Sequence, residues 1–330
     1  VELLRKQYAF NRAQGYGFWW YDLNGGWFNN AHIFQALLGR WVLREKESRY
    51  DKHQFDFPVE VAWVIDGYHS LYTRMTGVVP LASRSQFKTF NRMPAPRDVI
   101  QLTDFRDCKL PEYKIYIFLN CFVVSPELRE RIHRQLSRNN AVAVWIGTAG
   151  FFNGVTGQAP DCANVEKLTG FRTELVKSSK SVTTVLKDLG KTITWRYPGT
   201  ADPLFVIRDP SAKCLSRDGK LTVVAEKKMQ GWRSIFFTGH YLPPEALEIL
   251  FRRAGVHLYS NVFQDYFYMG YGFAGMNIVK SGKKQLSFPM SADIMDYETG
   301  EILQRNVKTF YFDAKAGTTR LFSVRYSGKQ

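Results

Sequence analysis

The chain has 330 residues, enough for two or three domains, and 45% of them are hydrophobic, an ordinary globular composition rather than a disordered one. No apolar run approaches the roughly 20 residues of a membrane span; the longest, around Tyr113–Val124 and Ala141–Ile146, read as buried strands. The net charge of +15 is scattered, and its densest clusters, Glu226-Lys227-Lys228 and Lys280-Ser281-Gly282-Lys283-Lys284, read as solvated strand ends and turns. Nucleic acid is therefore not an expected partner, and binding to an acidic polymer or surface is the lesser alternative.

In chain order, Leu3, Leu4, Tyr8 and Phe10 fall near helical spacing, and Gly15-Tyr16-Gly17 ends that helix. Val1 is not an initiator residue and Val1–Asn11 reads as mid-helix, so the start of the parent protein is expected to lie elsewhere. Phe18-Trp19-Trp20-Tyr21 reads as a short strand of aromatics, with Asp22 at its carboxyl end and Asn24-Gly25-Gly26 as a tight loop. Asn29 or Asn30 caps a helix with the stripe Ile33, Leu37, Leu38, Trp41 and Val42. Helix, strand, helix, with a carboxylate where the strand ends, is the pattern of one unit of a β/α barrel, and one unit cannot close a barrel of eight strands.

Lys46–Phe57 is polar and reads as a linker. Beyond it, strands are expected at Val59–Ile65, Val99–Leu102, Tyr113–Asn120, Ala141–Ile146, Leu221–Ala225 and Ser234–Thr238, with helices at Ser83–Arg92, after Ser125-Pro126-Glu127 and from Pro244 to Ala254. The Ser125 helix carries the fullest signature: a capping serine, proline in the first turn, an acid at the positive end, and the stripe Leu128, Ile132 and Leu136. Apolar strands separated by helices predict a doubly wound parallel α/β sheet. From Tyr259 the helical signals stop. Strands at Tyr266–Tyr271, Lys284–Phe288, Ala292–Met295, Thr309–Phe312 and Arg320–Val324, punctuated by Ser281-Gly282, Glu298-Thr299-Gly300 and Lys315-Ala316-Gly317, predict a small antiparallel β-sandwich.

Several of these stretches, taken together, resemble the latter half of the β-galactosidases of glycoside hydrolase family 42. Gly15–Phe28 is similar to their eighth barrel strand and loop. Leu110–Asn120 is similar to a strand of their trimerisation domain, and Ala254–Ser260 with Gly300–Val324 to their junction and C-terminal β-domain; Ala159–Thr200 matches poorly. The resemblance implies 1–50 as the end of a β/α barrel, 56–256 as a flavodoxin-like, class I glutamine amidotransferase-like domain used for trimerisation, and 257–330 as a C-terminal β-sandwich. It also implies a parent that hydrolyses β-glycosidic bonds. In the family the two catalytic glutamates stand at the ends of barrel strands four and seven, which would precede Val1; Glu2 lies in the helix before strand eight and is not assigned that role. Glycoside cleavage needs two carboxyl groups, about 5 Å apart for retention or roughly 6.5–9.5 Å for inversion. Asp22 is the only acid placed at a barrel strand's catalytic end, so no catalytic residue is assigned.

The candidate substrate-binding residues are Asp22, Trp19, Trp20 and Trp27. Indole faces stack on sugar C–H surfaces, and a carboxylate accepts from hydroxyls; neighbouring strand tryptophans face opposite ways, so at least one of the pair is expected in the core. Cys108, Cys121, Cys162 and Cys214 lack CxxC spacing and histidine companions, so no metal or other cofactor is expected. In the α/β domain, Asp66, Asn120 and Gly147-Thr148-Ala149-Gly150 fall where such sheets bind ligands. No glycine-flanked elbow surrounds Cys121 and no His-x-Glu follows it, which ranks an amidotransferase-like nucleophile low. Gly147–Gly150 lacks the companions of a phosphate loop and reads as a turn, while His240 and His257 read as packed histidines. The expected partners are a carbohydrate and further copies of the chain. The reading from a different class is a non-enzymatic structural or interaction protein with a basic surface. The compartment is left open.

Overall fold

The structure is a computed structural model that describes residues 1–17, 19, 25–26, 29–35, 40–49, 51–70, 86–119, 121–147, 149–177, 181–196 and 204–327. They fall into two compact units by packing: residues 59–90 with 97–256, and residues 1–58 with 91–96 and 257–330. The expected three segments divide the chain by likeness, whereas packing joins its beginning to its end.

The first unit is built on a sheet whose heart is fully apolar. Strands β1 (Val61–Ile65), β2 (Arg97–Gln101), β3 (Ile115–Phe118) and β4 (Val142–Ile146) run parallel, and every residue of β3 and β4 is buried. Continuous Val, Ile, Trp and Phe runs suit strands covered on both faces, because neither face tolerates a polar side chain. After β5 (Thr173–Val176), β6 (Thr183–Asp188), β7 (Lys191–Arg196), β8 (Leu204–Ile207), β9 (Lys213–Asp218) and β10 (Leu221–Met229), strand β11 (Trp232–Phe237) returns parallel to β4. The sheet order is β2-β1-β3-β4-β11-β10-β8-β5, with β9 on β10 and a separate β6–β7 hairpin. The unit is thus a mixed α/β fold with a parallel-rich centre, and its far half, from β11 outward, is antiparallel. That half departs from the all-parallel expectation, since an apolar run does not carry strand direction.

The helix signature after Ser125 is realised as Pro126–Ser137, with Ser125 Oγ accepting the Leu128 N–H (3.2 Å) and Ile132 and Leu136 in the core. Residues Gln86–Phe90 and Pro244–Arg253 are also helical, within the ranges expected for them.

The second unit contains β12 (Tyr266–Gly270), β13 (Phe273–Asn277), β14 (Gly282–Asp296), β15 (Ile302–Ala314) and β16 (Thr319–Tyr326). The expected sandwich is instead one antiparallel sheet, ordered β12-β13-β16-β14-β15. Helix Glu2–Ala13 covers one face, burying Tyr8, Ala9 and Ala13 with Trp41 against Tyr268, Phe273, Tyr297 and Leu321. The close approach depends on small residues. A Cβ on Gly275 would stand 2.9 Å from Ala9 Cβ, and one on Gly270 would stand 2.2 Å from the Ala13 carbonyl oxygen. The alternate residues Phe267, Met269, Ala274, Met276, Phe322 and Val324 point to the other face, as a period of two requires.

Lys46–Phe57, expected as a linker, is part of the folded unit. Its first part continues helix Val42–Arg49, and its last part pairs with the sheet: Phe55 N–H donates to Val324 O (3.0 Å), and Phe55 and Phe57 are buried. The flanking charges hid two phenylalanines at strand spacing. Lys284 departs in the same way: its ammonium is buried, 2.6 Å from the Asp265 carboxylate, whereas Lys283 stays at the surface.

Candidate functional site

The segment expected to touch sugar begins where helix Glu2–Ala13 stops. The stop is a Schellman turn: Tyr16 N–H donates to Asn11 O (3.0 Å), Gly15 N–H donates to Arg12 O (3.2 Å), and Gly15 adopts φ +68°. Trp19 follows at 73% exposure, so its indole is largely accessible. Trp20, Asp22 and Trp27 lie outside the described residues, as does the rest of the Phe18–Tyr21 strand.

A polar network absent from the sequence reading holds the base of this segment. Arg5 clamps Glu298 through Nε (2.9 Å) and Nη2 (3.1 Å), and Trp41 Nε1–H donates to the same carboxylate at 2.8 Å. Glu2 accepts the Thr319 N–H (2.7 Å), and Arg12 pairs with Glu45 (2.7 Å). Tyr8 and Tyr297 share a 2.5 Å hydrogen bond between hydroxyls. Burial pushes both phenols up, with the neighbouring phenol adding to the rise at Tyr8, so both stay neutral. The only sequence trace of Glu298 was its place in the turn triplet Glu298-Thr299-Gly300. A network so fully paired within itself positions helix and turn.

In the α/β unit, the carboxyl ends of the parallel strands bring together some of the predicted residues. Asp66, 3% exposed, follows β1; it accepts the His69 N–H (3.0 Å) and pairs with His69 Nδ1 (2.6 Å). Gly67 N–H donates to Oε1 of Gln101, the last residue of β2 (3.0 Å). A carboxylate bound to one imidazole nitrogen orients the ring, the second half of a general acid–base arrangement. Cys121 is buried, and its thiol donates to Val64 O at 3.8 Å, which makes it part of the core. Asn120 and Thr148 lie outside the described residues.

The glycines of the Gly147–Gly150 turn serve packing. Gly147 N–H donates to Phe237 O (2.9 Å) and Gly150 N–H to Cys121 O (2.8 Å), so neither is offered to a phosphate. A Cβ on Gly147, at φ +74°, would fall 2.2 Å from the ring of His240. Burial alone lowers His240 to about 4, so the ring is neutral at pH 7. Among the described residues no cluster of three or more His, Cys, Asp or Glu side chains is arranged to hold a metal, and no helix is long and apolar enough to cross a membrane.

The state of His240 gives a pH prediction. An unfolded histidine takes up its proton near pH 6.5, while the folded one resists until about 4. The stability associated with neutral His240 is therefore present above 6.5 and lost as pH falls toward 4. Between pH 7 and 4.5 the loss of urea stability is expected to be about 2–3 kcal/mol larger in the parent than in His240→Gln. Equal losses would contradict the buried neutral ring.

No family model matches the chain, and no curated protein matches it. Solved structures do. The β-galactosidase from Bacillus circulans sp. alkalophilus matches with a TM-score of 0.61 at 13% identity, over 81% of this chain and 41% of its own. The polyextremophilic β-galactosidase from the Antarctic haloarchaeon Halorubrum lacusprofundi gives 0.57 at 12%, over 85% and 42%, and Gan42B, a GH42 β-galactosidase, gives 0.54 at 15%, over 81% and 40%. All three are β-galactosidases, Gan42B of family GH42 among them, in line with the motif resemblance, and at these identities the likeness is one of fold. The chain spans about 40% of their length, consistent with a C-terminal region.

Proposed function

We propose that this chain is the C-terminal, non-catalytic portion of a GH42 β-galactosidase-like protein, where it supports oligomerisation and completes a sugar pocket. The observation that carries the reading is the fold likeness itself, which spans four-fifths of the chain but only about two-fifths of each neighbour. Residues 1–50 then supply the closing unit of a β/α barrel, 56–256 the trimerisation-type domain, and 257–330 the C-terminal β-domain. The order β2-β1-β3-β4-β11 supports a flavodoxin-like relation, because it follows the 2-1-3-4-5 pattern of that fold.

In this role Asp22 accepts from sugar hydroxyls, and Trp19, Trp20 and Trp27 offer stacking faces at the mouth of the barrel. The exposure of Trp19 supports that use. Hydrolysis itself belongs to a carboxyl pair on earlier barrel strands of the parent. The chain alone, incubated with an aryl β-galactoside, is expected to release no phenol above the buffer blank, and to sediment as a homo-oligomer, a trimer by resemblance. Turnover by the chain alone would refute the non-catalytic assignment. The second reading, a non-enzymatic interaction protein, is favoured by the charge of +15 and would show as a monomer that gains mass with an acidic partner.

A further inference from the structure

At the opposite end of the parallel sheet from Asp66, the chain forms a cavity of about 300 Å³ where Lys109 and Leu110 lead into β3 and Arg138 leads into β4. Arg131, Arg134 and Arg138 reach it from one face of helix Pro126–Ser137 and its cap, at helical spacings of three and four, and Lys109 closes the ring. Phe105 and Leu110 form its apolar part.

The charges there are unbalanced. Arg131 is held by Glu127 (3.0 Å) and donates to Arg106 O (3.3 Å). Lys109, Arg134 and Arg138 have no carboxylate partner among the described residues. Arg138 is nevertheless oriented: its Nη1–H donates to Gln135 Oε1 (3.0 Å), and Gln135 is fixed by donating to Pro111 O (2.8 Å) and the Tyr116 hydroxyl (3.0 Å). Cations in a last turn also complement the helix dipole, which accounts for Arg134 and Arg138 singly. It does not account for Lys109, for the concavity, or for three unneutralised cations facing one small space.

We propose that this cavity is a binding site for a small oxyanion ester, a phosphate or sulfate monoester with a compact organic group. Guanidinium forks match the oxygens of phosphate and sulfate in pairs, and an anion relieves the mutual repulsion of the cations. Half-buried Leu110 and the exposed edge of Phe105 supply a small apolar contact for the organic group. The volume lies at the lower end of small-molecule sites, which favours a compact monoester over a polymer backbone. The site is independent of the glycosidase reading, because it uses no residue of the barrel segment.

The test is calorimetric titration of the full chain with phenyl phosphate and with phenyl sulfate, with inorganic phosphate as competitor. Saturable binding of either ester is expected, displaced by inorganic phosphate and weakened at least about tenfold in Arg134→Gln and in Arg138→Gln. Which ester binds identifies the source of the oxyanion. Arg129→Gln, whose guanidinium pairs with Glu130 and does not line the cavity, is expected to bind like the parent. Bound ester is also expected to slow alkylation of Cys108, an exposed thiol on the cavity wall, but not that of exposed Cys214. Urea midpoints of the variants confirm that they are folded. Absence of saturable binding, or equal weakening in Arg129→Gln, overturns the proposal. So does tighter binding of a single-stranded oligonucleotide that leaves Cys108 alkylation unchanged.

Discussion

Gly147→Ala is expected to lower the unfolding free energy by about 2–5 kcal/mol, measured by urea denaturation at pH 7. Two costs combine. The residue sits at φ +74°, where an L side chain costs about 1–2 kcal/mol. The new methyl would also stand 2.2 Å from Cε1 and Nδ1 of His240, a ring that is only 2% exposed and so cannot swing out to solvent without opening the core. Gly147 further ties β4 to β11 through its hydrogen bond to Phe237 O, so a backbone shift that relieved the clash would disturb the centre of the sheet. Gly157→Ala separates the two costs. It has a similar φ of +81° but nothing within 4 Å of the would-be Cβ, and should lose only the conformational part, about 1–2 kcal/mol. Equal losses at the two positions would mean that His240 does not pack against Gly147.

Lys284→Met should cost about 3–5 kcal/mol, because it leaves a buried carboxylate without its counter-charge. Asp265 is fully buried, Lys284 is 4% exposed, and their charged atoms lie 2.6 Å apart. Asp265 also accepts the Val279 N–H at 2.7 Å, so it cannot swing to solvent without breaking a backbone contact. Adding Asp265→Asn to Lys284→Met should recover part of the loss, since the amide oxygen still accepts from Val279 and carries no charge. A loss below about 1 kcal/mol in the single variant would place the pair among ordinary surface ion pairs.

These two contacts also mark where the sequence is legible and where it is not. Strands β3 and β4 and helix Pro126–Ser137 announce themselves, because their signals lie within the element: unbroken apolar runs, a capping serine, a first-turn proline. The direction of β10, the pairing of Phe55 with Val324, and the burial of Lys284 depend on partners distant in sequence, so no local pattern reports them. The β6–β7 hairpin was hidden by its turn. Leu189 and Gly190 both take positive φ, as a two-residue turn of this kind requires, but leucine replaces the asparagine or aspartate that normally betrays it. Tyr271-Gly272 between β12 and β13 does the same.

For the sites, the sequence offered residue types without their company. Asp66 was found because a carboxylate closes an apolar strand, yet its pairing with His69 rests on a short helical turn too brief to predict. Glu298, read as part of a turn, gathers Arg5 and Trp41 from far up the chain. The apolar stripe of helix Pro126–Ser137 drew the eye away from its arginines, and Lys109 joins them only through the fold. Within the predicted sugar-contacting set the described residues reach Trp19 alone.

A closing barrel unit at residues 1–50 requires that the native polypeptide continue into the rest of a barrel. Intact mass spectrometry of the protein as its own cells make it answers this in one measurement. A mass exceeding the 38.1 kDa of this chain by several hundred residues is expected. A native mass of 38.1 kDa would contradict the proposed origin and leave an interaction protein in its place.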